Sequence, residues 1–255
     1  MCELFGFSSE REELVNDYLK EFYSHSDKHP HGWGIATFYG GAVNLEKEPL
    51  PAWQSNYLKS RLQPPFLVKN MIAHIRQASM GGLAYENCHP FVGRDDSGRT
   101  WTLAHNGAIL NGALLDVYSS QQLGGTDSER VFLHLLQQIN ALQKEQPEAL
   151  SAPQRFAVAD HTVREMAEGN KLNLLFYDGE LLYVHTNKKG TLHYRQSGSA
   201  TLIATVPLDD GQWAPVPMNQ LLAFQNGQLV LQGTPHDHRF TGPDVNPLHI
   251  EFSLL

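Results

Sequence analysis

The chain has 255 residues, of which 41% are hydrophobic and 18% charged, an ordinary balance for a globular protein with a sizeable core. Its formal charge of −8, from 27 acidic and 19 basic residues, argues against non-specific binding to nucleic acid or to an anionic membrane. Two cysteines cannot form a disulfide framework, and the sequence shows neither a signal-peptide pattern nor a long apolar segment. We therefore expect a cytoplasmic protein.

The first predicted strand is the apolar stretch MCELFGF at residues 1–7, in which Cys2 follows the initiator methionine. Removal of Met1, which the small residue after it favours, would give Cys2 both a thiol and a free α-amine. A model α-amine has a pKa of about 7.7–8, so it can be neutral near pH 8 and take the proton of the thiol. The pattern suggests an N-terminal nucleophile. A single cysteine can equally be a small buried hydrophobe.

The first half of the chain then alternates short helices with strands. Ser9 and Glu12 fit a capping box ahead of an apolar stripe that ends at Phe22, so a helix is predicted to begin at Ser9. Further strands are predicted at 31–39, 42–47, 70–76 and 101–105, with a short helix near 55–62 and a loop over 77–87.

The second half opens with the strongest helical pattern, where Thr126 and Glu129 fit a second capping box. Another helix is predicted at 153–168. Short strands follow at 172–177, 181–186, 192–195, 201–207, 220–224 and 228–231. Because the turns at 178–179 and 226–227 are tight-hairpin signals, we expect antiparallel pairing. The order of elements, with strands first, then two helices and then further strands, predicts one α+β domain over residues 1–255.

Polar residues mark three further places where chemistry could occur. Arg76 ends a strand, Asn106-Gly107 ends another, and Asp127 lies in the first turn of a helix. Each has an ordinary structural explanation as well: a surface arginine, a tight turn, and a carboxylate that favours the helix dipole. Histidines at 25, 29, 31, 236 and 238 also raise the question of a metal site, but no metal-ligand spacing is present and solvated loop histidines are favoured.

Taken together, six separated motifs resemble the glutaminase domain of class II glutamine amidotransferases, an N-terminal-nucleophile hydrolase family. They are Cys2 with Gly6, HGWGI at 31–35, HIR at 74–76, CHPF at 88–91, HNG at 105–107 and TDSE at 126–129. The start of the chain resembles that of small stand-alone members. The resemblance implies a four-layer αββα sandwich of two mostly antiparallel sheets, with no cofactor and no metal.

The resemblance also implies catalytic roles. Cys2 would attack the side-chain amide of glutamine, or of a related γ-glutamyl small molecule, and form a thioester. Asn106, through its side-chain amide, and Gly107, through its backbone N–H, would form the oxyanion hole. Two fixed donors aimed at a developing oxyanion are a large source of rate enhancement in acyl transfer.

The implied substrate contacts fit an amino-acid zwitterion. Arg76 would bind the α-carboxylate, for which a planar guanidinium is suited, and Asp127 would bind the α-ammonium. Ser79 occupies a place where family members have a hydroxyl near the substrate carboxylate, and His89 occupies a place near the substrate pocket, so the resemblance implies that both contribute to substrate binding. Gln77, where well-known synthases of the family have an aromatic residue, departs from the pattern.

Nothing in the sequence suggests a second, synthase domain that would use ammonia. The protein is therefore expected either to supply a separate ammonia-accepting synthase partner or to act as a simple amidase. A catalytically inactive binding module or subunit is the alternative. The sequence does not indicate the oligomeric state.

Overall fold

The computed structural model of the protein describes residues 1–244. The helices are α1 (Asn16–Ser24), α2 (Asn56–Arg61), α3 (Asp127–Gln143) and α4 (Ala152–Ala167). The strands of the first half are β1 (Glu3–Leu14), β2 (Trp33–Tyr39), β3 (Ala42–Glu48), β4 (Leu67–Ile75), β5 (Phe91–Arg94) and β6 (Thr100–His105). Those of the second half are β7 (Leu174–Tyr177), β8 (Leu182–His185), β9 (His193–Ser197), β10 (Ala200–Ala204), β11 (Ala214–Pro215), β12 (Leu222–Gln225) and β13 (Gln228–Gln232).

Within the described residues these strands form two sheets. One has seven strands in the order β11-β9-β10-β1-β4-β2-β3, and the other has six in the order β13-β12-β8-β7-β6-β5. The pairings between neighbouring strands are antiparallel. Strand β1 is central in the larger sheet, because it pairs with β10 on one side and β4 on the other.

Side chains that alternate between the two faces of each strand form three buried apolar clusters. In β1, Leu4 packs between the two sheets, whereas Phe5 and Phe7 pack on the opposite face with α1. In β6, Trp101 and Leu103 pack against α3 and α4 on the outer face of the smaller sheet. The order of layers is therefore helix, sheet, sheet, helix, which confirms the expected αββα sandwich.

The prediction of a helix beginning at Ser9 is wrong. Strand β1 continues past Ser8 through an irregularity and pairs again with β4 at Glu13 and Leu14. The hydroxyl of Ser9 donates a hydrogen bond to Glu13 Oε1 (2.9 Å) and caps no helix. Helix α1 begins at Asn16, and Leu14 is 56% exposed, because pairing with a distant strand prevails over the local helical pattern.

The other elements lie close to their predicted positions. Thr126 caps α3, since its hydroxyl accepts a hydrogen bond from the Glu129 N–H at 3.3 Å. The Glu129 carboxylate does not complete a capping box; it accepts hydrogen bonds from the N–H groups of Leu123 and Gly124 instead. Asn226 and Gly227 adopt positive φ angles and form the tight turn between β12 and β13, as predicted. Among residues 1–244, no helix has the length and apolar character to cross a membrane.

Candidate active site

The start of β1 lies against the end of β4, and the register decides which residues meet there. Glu3 pairs with Ile75 and Leu4 with His74, so one further pair sets Cys2 opposite Arg76. Cys2 and Arg76 share the strand faces of Leu4 and His74, which point toward the smaller sheet. Antiparallel pairing thus brings together two residues that are separated by 74 positions in the sequence.

The thiol of Cys2 contacts the main chain just beyond Arg76. Its sulfur accepts a hydrogen bond from Gln77 N–H at 3.4 Å and lies 3.5 Å from the carbonyl oxygen of Gln77. Burial raises the pKa of the Cys2 thiol, while the bond from Gln77, the N-terminal ammonium and Arg76 oppose that rise. Asp127 adds to the increase in this pKa. Arg76 and Asp127 therefore act on the sulfur in opposite directions: Arg76 favours the thiolate and Asp127 disfavours it.

Met1 is present in this structure, so the free α-amine belongs to Met1. That amine donates a hydrogen bond to Gln77 Oε1, and the Met1 sulfur lies 3.5 Å from the Lys171 ammonium. Burial and the charge of Lys171 lower the pKa of the α-amine. The environment at this end of β1 thus favours a neutral amine.

The loop after β6 is held in a fixed geometry. Asn106 N–H donates to Asn173 O (2.9 Å), and Ala108 and Lys171 exchange two backbone hydrogen bonds at 3.1 and 3.0 Å. Between them, Gly107 has no room for a side chain, because a Cβ there would lie 1.9 Å from Lys171 O. Asn106 is only 2% exposed, and its Oδ1 has no hydrogen-bond partner within residues 1–244.

Asp127 is the first residue of α3 and connects this helix to the same loop. Its Oδ2 accepts a hydrogen bond from Ile109 N–H at 3.0 Å, and its Oδ1 lies 3.3 Å from the Ser128 hydroxyl. A carboxylate in the first turn of a helix is also stabilised by the helix dipole. Asp127 is partly exposed, so it remains available to a ligand.

Arg76 is already surrounded by acceptors. Its guanidinium donates hydrogen bonds to the carbonyl oxygens of Met80 (2.8 Å), Gly81 (3.1 Å) and Gly82 (3.0 Å). The side chain is 2% exposed. Arg76 therefore fixes the loop after β4, and a carboxylate ligand would have to exchange with at least one of these carbonyl groups.

Ser79 and His89 lie in different surroundings. Ser79 is partly exposed and belongs to the loop that Arg76 holds. His89 is 3% exposed and packs between His74 and Phe91, with ring centroids 4.2 and 4.6 Å away. Burial and the neighbouring His74 lower the pKa of His89, and neither ring nitrogen has a hydrogen-bond partner in the described chain. His89 is thus a neutral interior residue in this structure.

The sequence did not predict that Gln77 and Lys171 lie at this site. Gln77 contacts both Met1 and Cys2, although it stood out only as a departure from the family pattern. Lys171 is 2% exposed and donates hydrogen bonds to Asp244 (3.0 Å) and toward Met1. A lysine entering an apolar strand was a signal that could have identified it, because a buried ammonium needs a partner.

The histidines that raised the question of a metal site are engaged in other ways. His25 Nδ1 lies 2.8 Å from Glu3 Oε2, and His236 Nε2 lies 3.1 Å from the Nε2 atom of His185. Among residues 1–244, no group of three or more His, Cys, Asp or Glu side chains could hold a metal ion. The described part of the chain therefore offers no metal centre.

A comparison with protein families matches residues 1–197 to the class II glutamine amidotransferases. The chain belongs to this family. Among its relatives is YafJ of Escherichia coli, whose name gives it only as a candidate glutamine amidotransferase. The two are 32% identical over 213 residues, which cover 80% of each chain. An uncharacterised protein of Methanocaldococcus jannaschii is 30% identical over 259 residues, covering 90% of this chain and 71% of the relative.

Solved structures support the same fold. A predicted glutamine amidotransferase of Pseudomonas aeruginosa superimposes with a TM-score of 0.67 at 23% identity, covering 90% of this chain and 100% of that one. The glutamine phosphoribosylpyrophosphate amidotransferase of Bacillus subtilis gives 0.63 at 19% identity, covering 90% of this chain but 48% of that one. At such identities the likeness concerns the fold alone.

Proposed function

We propose that this class II amidotransferase hydrolyses the side-chain amide of glutamine, or of a related γ-glutamyl compound, with Cys2 as nucleophile after removal of Met1. The observation that supports this most directly is the register of β1 and β4, which, continued by one pair, sets Cys2 opposite Arg76, with the Cys2 sulfur against the main chain of Gln77. Both face the smaller sheet, whose β6 ends in the Asn106-Gly107 loop. The charges of Arg76 and Asp127 both act on the thiol.

The proposed reaction uses the α-amine that excision of Met1 creates on Cys2. The neutral amine takes the thiol proton, and the sulfur attacks the amide carbon. The Asn106 side-chain amide and the Gly107 N–H stabilise the resulting oxyanion. The C–N bond then breaks, the leaving nitrogen receives the proton from the amine, and water later hydrolyses the thioester to release glutamate. Atoms balance with ammonia, or an amine, as the second product.

Substrate recognition in this proposal requires a change at Arg76. An α-carboxylate would replace carbonyl oxygens of the 80–82 loop as acceptor of the guanidinium hydrogen bonds. A carboxylate carries the charge opposite to that of the guanidinium and can accept two parallel hydrogen bonds from it, which favours this exchange. Asp127 would receive the α-ammonium. Ammonia would pass to solvent or to a synthase partner.

The test is glutamate release from glutamine by protein whose intact mass shows that Met1 is absent. A sample that retains Met1 and a Cys2→Ala variant serve as controls. Activity confined to the Met1-free form, with Cys2→Ala inactive, is the expected result. Activity of Cys2→Ala, or equal activity of the form that retains Met1, would contradict the mechanism. Inertness toward both glutamine and γ-glutamyl peptides would leave the binding-module alternative.

A further inference from the structure

A chain of three polar side chains runs from the end of β6 to the start of α3. His105 Nδ1 lies 3.0 Å from the Ser128 hydroxyl, which lies 3.3 Å from Asp127 Oδ1. His105 is 1% exposed and Ser128 is 7% exposed, so solvent does not satisfy them. The hydroxyl has one proton and two candidate acceptors.

The position of that proton follows from the other contacts of His105. Its Nε2 lies 3.0 Å from the carbonyl oxygen of Lys171, which can only accept, so Nε2 carries a hydrogen. Burial of this 1% exposed ring lowers the pKa of His105 although Asp127 opposes this, which favours the neutral ring. Nδ1 therefore has a lone pair, for which Ser128 is the donor within the described residues. The shorter contact takes the proton.

With its proton on His105, the Ser128 oxygen presents lone pairs beside Asp127 Oδ1. The two oxygens lie 3.3 Å apart, and a single nitrogen can be within about 2.9 Å of both. The other Asp127 oxygen is already occupied by the Ile109 N–H. An ammonium group, which donates three hydrogen bonds and accepts none, matches this pair of acceptors.

We propose that Ser128 is a specificity residue that binds the α-ammonium of the substrate together with Asp127, while His105 holds the hydroxyl proton away from the ligand. This inference rests on the proposed function. It adds a second acceptor to the amino-group contact and gives His105 a role as a positioning residue. Loss of the Ser128 hydroxyl should weaken only ligands that carry an α-amine.

The experiment measures binding by calorimetry to Met1-free Cys2→Ala protein, which retains the α-amine at position 2. The ligands are L-glutamine and glutaramate, which is glutamine without its α-amino group. Ser128→Thr and Ser128→Val form the variant pair, because the two side chains have the same shape and only threonine keeps a hydroxyl. Ser128→Ala is the third variant, and thermal unfolding of each reports whether it is folded.

The expected result is about tenfold weaker glutamine binding in Ser128→Val than in Ser128→Thr, with glutaramate bound equally by both. Equal weakening of both ligands would assign Ser128 a structural role and overturn the inference. Unchanged glutamine binding would also overturn it, while the proposed function would stand. If neither ligand binds to protein with Ser128 intact, the proposed function fails and the inference fails with it.

Discussion

Replacement of Gly107 by alanine tests the geometry of the loop after β6, which carries the proposed oxyanion-hole donors Asn106 and Gly107. The new Cβ would lie 1.9 Å from Lys171 O and 2.2 Å from His105 Nε2, about 1.1 Å closer than the 3.0 Å that real Cβ contacts respect. The loop cannot yield easily, because Ala108 and Lys171 exchange hydrogen bonds on one side. A donor displaced by about 1 Å loses its alignment with the oxyanion, and kcat should fall roughly 10²–10³-fold. Overpacking should also lower the free energy of unfolding by about 1–3 kcal/mol.

The assay is glutamate release by Met1-free protein, combined with urea denaturation. Gly82→Ala is the matched control, because a Cβ at Gly82 meets nothing within 4 Å and its carbonyl group remains for Arg76. The control should keep a kcat within about twofold of the unchanged protein, because the added methyl group meets no atom and the Gly82 contact with Arg76 is made by the backbone carbonyl. A Gly107→Ala variant with unchanged kcat and an unchanged denaturation midpoint would refute the reasoning.

Three further predictions concern buried groups. Arg155→Met should lower the free energy of unfolding by about 3–5 kcal/mol, because it leaves the fully buried Asp178 carboxylate without its 2.6 Å ion pair; urea denaturation measures this. Burial raises the pKa of Cys88 to about 11, so a thiol reagent at pH 8 should label no thiol in native Cys2→Ala protein and one thiol after denaturation; fast native labelling would contradict this. Burial and a neighbouring histidine lower the pKa of His185 from 6.5 to about 3. Between these two pH values the histidine is protonated in the unfolded chain but not in the folded protein. The free energy of unfolding should therefore fall as pH drops from about 6.5 toward 3, by up to about 1.4 kcal/mol per pH unit. Denaturation at pH 7 and pH 5 should show a smaller difference in His185→Gln; an equal difference would contradict the assignment.

Most helices and strands were predicted because the residues that determine them are neighbours in the sequence. Short apolar runs located the strands around Leu4 and Trp101, and the Thr126 cap located α3. The start of α1 was misplaced because its determinant is not local: the second half of β1 pairs with β4, some fifty residues later. The family resemblance implied the four layers, but the order of strands in the two sheets was not predicted, because periodicity does not show which strands pair.

The site divides in the same way. Cys2, Arg76 and Asp127 were predicted because they belong to motifs with recognisable spacing. Lys171 was not, because its contact with Met1 joins residues 170 positions apart through sheet register. The carbonyl oxygens around Arg76 were equally invisible, since acceptors on a main-chain loop have no signature in the side-chain sequence.

The central position of β1 in the larger sheet constrains how the end of the chain can be processed. Hydrogen bonds to the strands on both sides fix the register of β1, and its side chains alternate between the two faces of the sheet. Removal of one residue makes Cys2 the terminal residue, and its side chain points to the inner face, toward the smaller sheet. Removal of two would leave the amino terminus at Glu3, whose carboxylate points to the helical layer and pairs with His25. The parity of the cut, an odd or even number of residues, thus decides which side of the sheet receives the terminal side chain.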